Sequence, residues 1–495
     1  MRMRIQRTSS LVFCLILSSV LLSDASGEKL PEDPKARVTD HVEARRTRYG
    51  EIAQRIWDLS EVGYQEVESS ALLQNTLRKA GFSVEANVAG MPTAFVATYG
   101  SGSPVVAVLA EFDALPGLSQ TREPERQHRD EVAAGHACGH HLFGAGSVAA
   151  AIAVADWLSA SPSGGTLRVY GTPAEEGGAG KAYLVREGLF EGVDVALHWH
   201  PSSYNGASIY GMLANKSAKF RFRGVSAHAA AAPEQARSAL DGVEAMNHMA
   251  NLLREHVPQE TRIHYVITQG GHAPNVTPDF AEVFYYVRHP DTETLHTIFE
   301  RVVAASEGAA RGTGTSVDYE VIHGANELVP NEALGRAMDA NLHNVGGVEY
   351  SASEKRFAKK LQESLLGAHP PISSSTEIET FAIHGVFPGS TDVGDVSQVV
   401  PTVGLSTATW VPGVPPHSWQ AVASGGTEIG NKGMINAAKT LAMTAVDLFT
   451  RPELIEAATA EHRERIGPNF VYRPLVGDRA PPLDYRAPSS SAKKH

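Results

Sequence analysis

Four short clusters of residues that could bind metal ions or move protons stand out in this 495-residue chain. They are Ala137-Cys138-Gly139-His140-His141, Pro173-Ala174-Glu175-Glu176-Gly177-Gly178, Leu197-His198-Trp199-His200-Pro201 and Pro416-His417-Ser418-Trp419-Gln420. Each cluster follows a predicted strand or precedes a predicted helix. Thiolate, imidazole and carboxylate groups together suit zinc, and also manganese or cobalt. Each cluster alone is more typical of packed or solvated residues, but their joint occurrence favours one shared metal site.

The chain has two cysteines, and Cys14 lies in a segment that reads as a cleaved export signal, residues 1–25. In this segment basic residues precede an apolar run at 11–22, and small residues follow it. We therefore expect an exported protein, periplasmic or extracellular, in which Cys138 has no internal disulfide partner. A metal ligand and a nucleophile are the two interpretations left for this thiol.

Competing chemistries account for fewer of these residues. A nucleophilic Cys138 activated by His136 or His140 leaves the two adjacent glutamates and His417 unexplained. Residues 144–149 loosely resemble a dinucleotide fingerprint, but no strand ends directly before them, so their small side chains favour helix packing. The sequence has no Gly-x-Ser-x-Gly elbow and no phosphate-cradling loop.

The composition is that of a soluble globular protein, with 42% hydrophobic and 20% charged residues. A net charge of −12 argues against nucleic acid and anionic membranes as partners. The apolar run at 11–22 is too short to span a bilayer comfortably. No later segment reads as long or charge-free enough, so we expect no transmembrane segment in the mature form. The remaining length of about 470 residues allows two domains.

Strands alternate with helices in the first part of a catalytic domain, residues 40–212. This pattern predicts an α/β fold with a mostly parallel mixed sheet flanked by helices. The predicted strands are 93–99, 105–110, 167–171 and 193–198, and the predicted helices are 41–63, 68–80, 144–158 and 180–189. Because parallel strands end at one edge of a sheet, clusters that follow them can converge on one crevice.

The hydrophobic pattern changes near Gly211. Residues 213–325 follow a β-α-β-β-α-β order, which predicts an inserted ferredoxin-like α+β domain. Residues 326–450 return to the catalytic domain, with a strand at 403–406 and a helix at 430–449. The tail at 451–495 carries prolines and charges, and we expect a C-terminal surface extension.

At this point the motifs resemble a family of metal-dependent amidohydrolases and carboxypeptidases, which includes aminoacylase, hippurate hydrolase, auxin-conjugate hydrolases and carboxypeptidase G. The stretches that carry the resemblance cover nearly the whole mature chain in order. They are residues 135–140, 172–178, 196–201, 226–230, 274–279, 391–396 and 416–420.

The resemblance implies a centre of two divalent metal ions, zinc or manganese with cobalt as an option. Its implied ligands are Cys138, His140, Glu176, His198 and His417. Glu175 would be the general base. The inserted domain, residues 213–325, would serve as a lid or dimerisation domain. His228 of this lid would stabilise the oxyanion, commonly in the site of the partner subunit, and Asn275 and Arg288 would bind the substrate.

Some residues depart from the family pattern or stand beside it. His141 occupies a position where the family often has Asp, and we expect it to line the pocket. His200 is near the ligand motif, but the family match favours His198. Asp113 resembles a residue that supports the site, and His136 is expected in the pocket or behind it.

The resulting hypothesis is an amidohydrolase that cleaves small N-acyl or N-aroyl amino acids. We expect a homodimer, with a second related subunit as a further option. A dipeptidase or aminopeptidase on the same scaffold is the alternative enzyme. A catalytically silent metal-binding or assembly protein is the alternative from another class, and retention of Glu175 speaks against it.

Overall fold

The computed structural model describes residues 33–486, so the predicted export signal lies outside the described residues. The strands are β1 Ser83–Ala86, β2 Phe95–Ser101, β3 Val105–Ala110, β4 Leu115–Pro116, β5 Ala134–Gly135, β6 Gly165–Gly171, β7 Val195–Ser202, β8 Ile209–Met212, β9 Ala214–Arg223, β10 Arg262–Gln269, β11 Phe280–His289, β12 Ser316–Ala325, β13 Ile383–Phe387 and β14 Thr402–Ala408. The α-helices are α1 Pro34–Ala44, α2 Arg46–Leu59, α3 Val67–Lys79, α4 His140–Ala160, α5 Gly180–Arg186, α6 Ala239–Leu253, α7 Thr292–Thr313, α8 Glu332–Val345, α9 Ala352–Gln362, α10 Val393–Val399, α11 Trp419–Gly425, α12 Glu428–Thr450 and α13 Pro452–Ile466.

The catalytic domain is built on a six-stranded sheet in the order β1-β2-β6-β3-β7-β14. β6, β3, β7 and β14 run parallel to one another, whereas β2 pairs antiparallel with both β1 and β6 at one edge of the sheet. β3 is a continuous apolar run that is almost entirely buried, as a central parallel strand requires. The predicted α/β class with a mostly parallel mixed sheet is confirmed.

Helix α4 packs against this sheet and is buried along nearly its whole length. Its 21 residues are long and apolar enough to cross a membrane by length and composition, although 83% of the apolar window is buried in the protein. The expectation that no later segment meets these criteria is therefore wrong. The burial explains why: a helix covered by protein on every side is apolar all round.

The lid is a separate antiparallel sheet in the order β10-β11-β9-β12, covered by α6 and α7. Chain order and sheet order together give the ferredoxin-like arrangement that the sequence predicts. The lid has its own hydrophobic core, centred on residues such as Phe220, Phe222 and Tyr285. After the lid, α8 leads the chain back to the catalytic domain, whose sheet is completed by β14.

Two elements differ from the sequence prediction in ways that bear on function. Strand β7 continues to Ser202 instead of ending at His198, because β14 pairs with it in parallel up to the Ala408 and Ser202 pair. The predicted surface extension contains helix α13, and beyond it Leu475 and Val476 are 1% and 2% exposed. Since these apolar side chains lie in hydrophobic cores, that part of the tail is integral to the fold and the prediction is wrong there.

Candidate metal centre

The elements of the catalytic domain bring the predicted clusters to one edge of the sheet. Cys138 lies in the loop between β5 and α4, and His140 is the first residue of that helix. Glu175 and Glu176 follow the end of β6, and His417 lies between β14 and α11. The backbone N–H of His417 donates to the carbonyl of Ala137. This hydrogen bond joins the first and last of the four clusters, which are the farthest apart in sequence.

Among the described residues, three groups of side chains place their ligand atoms within 4.8 Å of one another: Cys138 with His140 and His200, Cys138 with Glu176 and His417, and His140 with Glu175 and Glu176. Cys138 belongs to two of these groups. Its Sγ lies 3.4 Å from Nε2 of His200. A thiolate at the junction of two ligand groups is suited to bridge two cations.

The histidine of β7 that joins one of these groups is His200, and not the predicted ligand His198. His198 is absent from the ligand groups found within residues 33–486. Its ring lies against β14, where a Cβ at Gly404 would be 2.3 Å from the ring Cε1 atom. Because alternate residues of a strand share a face, both rings lie on the same side of β7, with His200 nearer the carboxyl end of the strand.

The hydrogen bonds behind the cluster orient the imidazoles. Asp113 Oδ1 accepts from Nδ1 of His140 at 2.8 Å, and Asp113 Oδ2 accepts from the backbone N–H of Glu176 at 3.0 Å. His200 Nδ1 lies 2.7 Å from the carbonyl oxygen of Pro201, which can only accept. Both imidazoles can then present an unprotonated Nε2 to a metal ion, as metal-binding histidines commonly do. Asp113 thus stands where a supporting residue was expected.

The donor atoms of the cluster fit a metal site. Nε2 of His140 and Oε1 of Glu176 are buried and make no well-formed hydrogen bond among the described residues, although Oε2 of Glu111 lies 3.1 Å from the first and Nε2 of His417 lies 3.4 Å from the second. Buried polar atoms of native proteins are normally satisfied, so such orphaned atoms call for an unseen partner. Together with Sγ of Cys138 they form the mixed thiolate, imidazole and carboxylate set that binds zinc and neighbouring divalent ions.

Burial and neighbouring charges shift the titration of these groups. Burial raises the pKa of the Glu175 carboxyl well above its usual range, and the nearby Glu111 and Glu176 raise it further. Burial also raises the pKa of the Cys138 thiol, with Glu176 adding to the effect. Burial lowers the pKa of His200 to about 3, which favours the neutral imidazole that a metal requires.

A buried lysine that the sequence analysis missed compensates the acidic groups behind the cluster. Lys181 Nζ is fully buried and lies 2.6 Å from Asp392 Oδ1 and 2.7 Å from Glu111 Oε1. The other oxygen of Glu111 is 3.1 Å from Nε2 of His140. A lysine at the start of a predicted helix carries no sequence signal for burial. The sequence contains a weak indication that Glu111 lies near the site, because Glu111 is two residues before Asp113 and so on the same face of an extended chain.

The other two histidines of the cysteine motif are structural neighbours of the site. His141 Nε2 is 3.0 Å from the carbonyl oxygen of Gly425, and His136 Nε2 is 3.1 Å from that of Ile56. Their ring centroids are 4.9 Å apart. His141 contributes no atom to the ligand groups found among the described residues.

The predicted lid residues lie apart from the cluster. His228 and Asn275 are exposed and adjacent, since the N–H of Ala229 donates to the carbonyl of Asn275. Arg288 lies on β11, and its Nη1 donates to Oγ of Ser390 at 3.1 Å, two residues before Asp392. Among the described residues, the side chain of Arg288 thus contacts the catalytic domain near the site, whereas His228 and Asn275 lie away from it.

The mostly parallel sheet flanked by helices, the ferredoxin-like insert and the thiol, imidazole and carboxylate cluster define a metal-dependent hydrolase of the two-domain peptidase class. Residues 211–313 match the family described as peptidase dimerisation domain. The chain is 40% identical over 455 residues to one of the subunits of p-aminobenzoyl-glutamate hydrolase from Escherichia coli K12, covering 86% of this chain and 94% of that protein. The chain belongs to the M20 family of metallopeptidases and amidohydrolases.

Two further relatives show the breadth of this family. The chain is 30% identical over 444 residues to the Xaa-Arg dipeptidase of Mus musculus, covering 87% of this chain and 92% of that protein. The solved structure of a dinuclear metal-binding peptidase of the M20 family from Bacillus subtilis superimposes with a TM-score of 0.56 at 19% identity. That alignment covers 82% of this chain and 99% of the other, and it shows a shared fold.

The two histidines of β7 give a direct test of the site. We expect His200→Asn to lower the bound divalent metal by about one ion per chain, because it removes one imidazole from a ligand group. His198→Asn is the matched control on the same face of the same strand, and it should retain the metal content of the unaltered protein. Elemental analysis after reconstitution measures both, with circular dichroism as a check of folding. Loss of metal in His198→Asn alone would contradict the assignment.

Proposed function

We propose that this protein is a two-metal amidohydrolase that cleaves N-acyl or N-aroyl amino acids, p-aminobenzoyl-glutamate being a representative substrate. The observation that carries the proposal is the cluster in which Cys138 belongs to two ligand groups and Glu175 lies beside them. The substrate class is supported by the 40% identity to the p-aminobenzoyl-glutamate hydrolase chain of Escherichia coli across most of both proteins.

In this proposal two divalent ions, zinc or manganese with cobalt as an option, would be held by the side chains of the two cysteine-containing groups: Cys138, His140, Glu176, His200 and His417. Bound ions of this kind lower the pKa of a coordinated water to about 7 and polarise a substrate carbonyl. Cys138 has no disulfide partner among the described residues, so its sulfur is available as a ligand.

Glu175 is assigned the role of general base and acid. Its side chain is partly buried, and desolvation together with Glu111 and Glu176 raises its pKa, so it can hold a proton between two steps. The carboxylate takes a proton from the attacking water and, once protonated, passes it to the nitrogen of the leaving amino acid. The amide C–N bond then breaks to give a carboxylic acid and a free amino acid.

The lid residues enter the proposal through a homodimer. His228 is exposed on the lid and lies outside the ligand groups of its own protomer. We propose that it completes the site of a partner subunit, where a protonated or hydrogen-bonding imidazole would stabilise the developing oxyanion. Asn275, which neighbours His228, and Arg288 are assigned to substrate binding. A match to the peptidase dimerisation domain supports self-association, and a second related subunit is the alternative assembly.

Export is also part of the proposal, and it is supported by the basic residues and apolar run of residues 1–25. Sequencing the amino terminus of the secreted protein checks it. Retention of residues 1–25 on protein in the cytoplasm would contradict export.

A dipeptidase activity is the second candidate, and the Xaa-Arg dipeptidase relative favours it. The two substrates differ at the acyl side of the scissile bond, where a dipeptide carries a free α-amine and an aroyl amino acid carries a ring. We expect the metal-reconstituted protein to hydrolyse p-aminobenzoyl-glutamate and hippurate faster than Xaa-Arg dipeptides, measured by release of free amino acid. The reverse order would favour the dipeptidase, and no hydrolysis of any of them would favour a silent metal-binding protein.

The variant Glu175→Gln tests the mechanism with the best substrate of that panel. We expect kcat to fall about 100-fold or more while metal content is retained, because the amide keeps the shape of the side chain but cannot accept the proton. Glu191→Gln, at an exposed glutamate, is the control and should keep full activity. Equal kcat in Glu175→Gln and the unaltered enzyme would contradict the role of Glu175 as general base.

Complementation between two inactive variants tests the shared site. In a 1:1 mixture of Glu175→Gln and His228→Ala chains, half of the dimers are mixed, and each mixed dimer has one site with both groups intact if His228 acts on the partner. We expect recovery of about one quarter of the unaltered activity after exchange of subunits. No recovery from mixed dimers that sedimentation or native mass spectrometry has verified would refute action across the interface.

A further inference from the structure

The segment that follows α13, residues 467–486, runs along the surface between the two domains, and we call it the C-terminal strap. It has no regular helix or strand, yet much of it is anchored by specific contacts. These contacts reach the lid, the catalytic core and the loop that carries Glu175 and Glu176.

The first anchor lies in the lid. Leu475 is 1% exposed and belongs to the hydrophobic core of the lid. It packs so closely on β12 that a Cβ at Gly324 would lie 2.6 Å from its own Cβ. Farther along the strap, Nη2 of Arg479 lies 2.7 Å from Oε1 of Glu320 on the same strand, and Nη1 of Arg479 donates to the carbonyl of Val321.

The second anchor lies in the catalytic domain. Val476, the residue after Leu475, is 2% exposed and belongs to the catalytic core. Nη1 of Arg186, at the end of α5, donates to the carbonyls of Gly477 and Arg479 at 3.0 and 2.7 Å. Adjacent residues of the strap are thus inserted into the cores of two different domains.

The end of the strap lies against the Glu175–Glu176 loop. Nη2 of Arg486 donates to the backbone carbonyl of Glu176 at 3.0 Å. The ring of Tyr485 meets that of Tyr64 edge to face, with centroids 5.7 Å apart, and the hydroxyl of Tyr64 donates to the carbonyl of Gly178 at 2.8 Å. The loop is therefore held from outside by a carbonyl contact at each end of Glu176-Gly177-Gly178.

The backbone of this loop needs such support. Ala174 has φ of 59° and Gly177 has φ of 147°, and a non-glycine residue in the left-handed region is held there only by its surroundings. A small displacement of the loop would move both carboxylates relative to Cys138 and His140, and catalytic rates are sensitive to misplacement by about 1 Å.

We propose that the C-terminal strap couples the lid to the catalytic loop, with Arg479 as the lid anchor and Arg486 as a positioning residue for Glu175 and Glu176. The arrangement means that the angle of the lid and the geometry of the loop are set by one continuous stretch of chain. The catalytic consequence rests on the proposed function of the two glutamates, whereas the mechanical coupling does not.

Amide hydrogen exchange of the full-length protein tests the loop contact without any substrate. We expect Arg486→Ala to speed exchange at Gly178 and Ala179 about tenfold, because their N–H groups bond to Ala174 within the loop that Arg486 supports. Arg465→Ala, whose guanidinium pairs only with Glu461 on the surface of α13 among the described residues, is the control and should leave exchange unchanged. Arg486→Lys keeps a cationic donor and should restore part of the protection.

Turnover and a double variant test the coupling. With the best substrate, Arg486→Ala should lower kcat about tenfold with KM within about twofold, the pattern expected when a positioned group moves.

Arg479→Ala should speed amide exchange in the same loop. The double variant should exchange no faster than Arg486→Ala alone, because both substitutions act through one strap. Additive effects, or a loop unaffected by Arg479→Ala, would overturn the coupling, and unchanged exchange in Arg486→Ala would overturn the positioning role. If the unaltered enzyme hydrolyses none of the substrates, the exchange results still decide the proposal.

Discussion

The constraint on which this structure depends is the burial of many ionisable groups under one edge of a parallel sheet. Glu111, Asp113 and Asp392 are buried close together with Glu175 partly buried beside them, and among the described residues Lys181 is the fully buried cation that contacts Glu111 and Asp392. Removing one partner of such a cluster leaves unpaired charge in the interior, at a cost of about 3–5 kcal/mol. The position of α5, which carries Lys181 just after the glutamate loop, is therefore tied to the charge balance of the site.

The same constraint explains why the ligand atoms converge although their residues are far apart in sequence. Two imidazoles face Cys138, and each uses its Nδ1 in a hydrogen bond. His140 bonds to the carboxylate of Asp113, and His200 bonds to the carbonyl of Pro201. Rotation of either ring would break a buried hydrogen bond, so the donor atoms are held in place before any ion arrives. Preorganisation of this kind is what second-layer partners contribute to metal sites.

Much of the architecture followed from hydrophobic patterning, but the identity of one candidate ligand depended on a strand boundary. Strand β3 was predicted with its observed bounds because a buried apolar run has clear ends. Strand β7 was predicted to end at His198. It continues because β14, about 200 residues later, pairs beside it, and the histidine at the strand end is consequently His200. Lys181 and the strap were missed for a related reason: their burial is created by long-range contacts that local sequence does not encode.

The parallel pairing of β14 with β7 has a consequence for biosynthesis. The strand that brings His417 to Ala137 is made only after the whole lid, so the cluster cannot close while the ribosome is still adding the insert. Contacts between such distant segments form late because a long loop must first be closed. A nascent chain that stops before β14 would expose β7 as an unpaired edge and lack a complete set of donors. Only a chain whose synthesis has passed β14 would then have the complete set of donors that a metal ion requires.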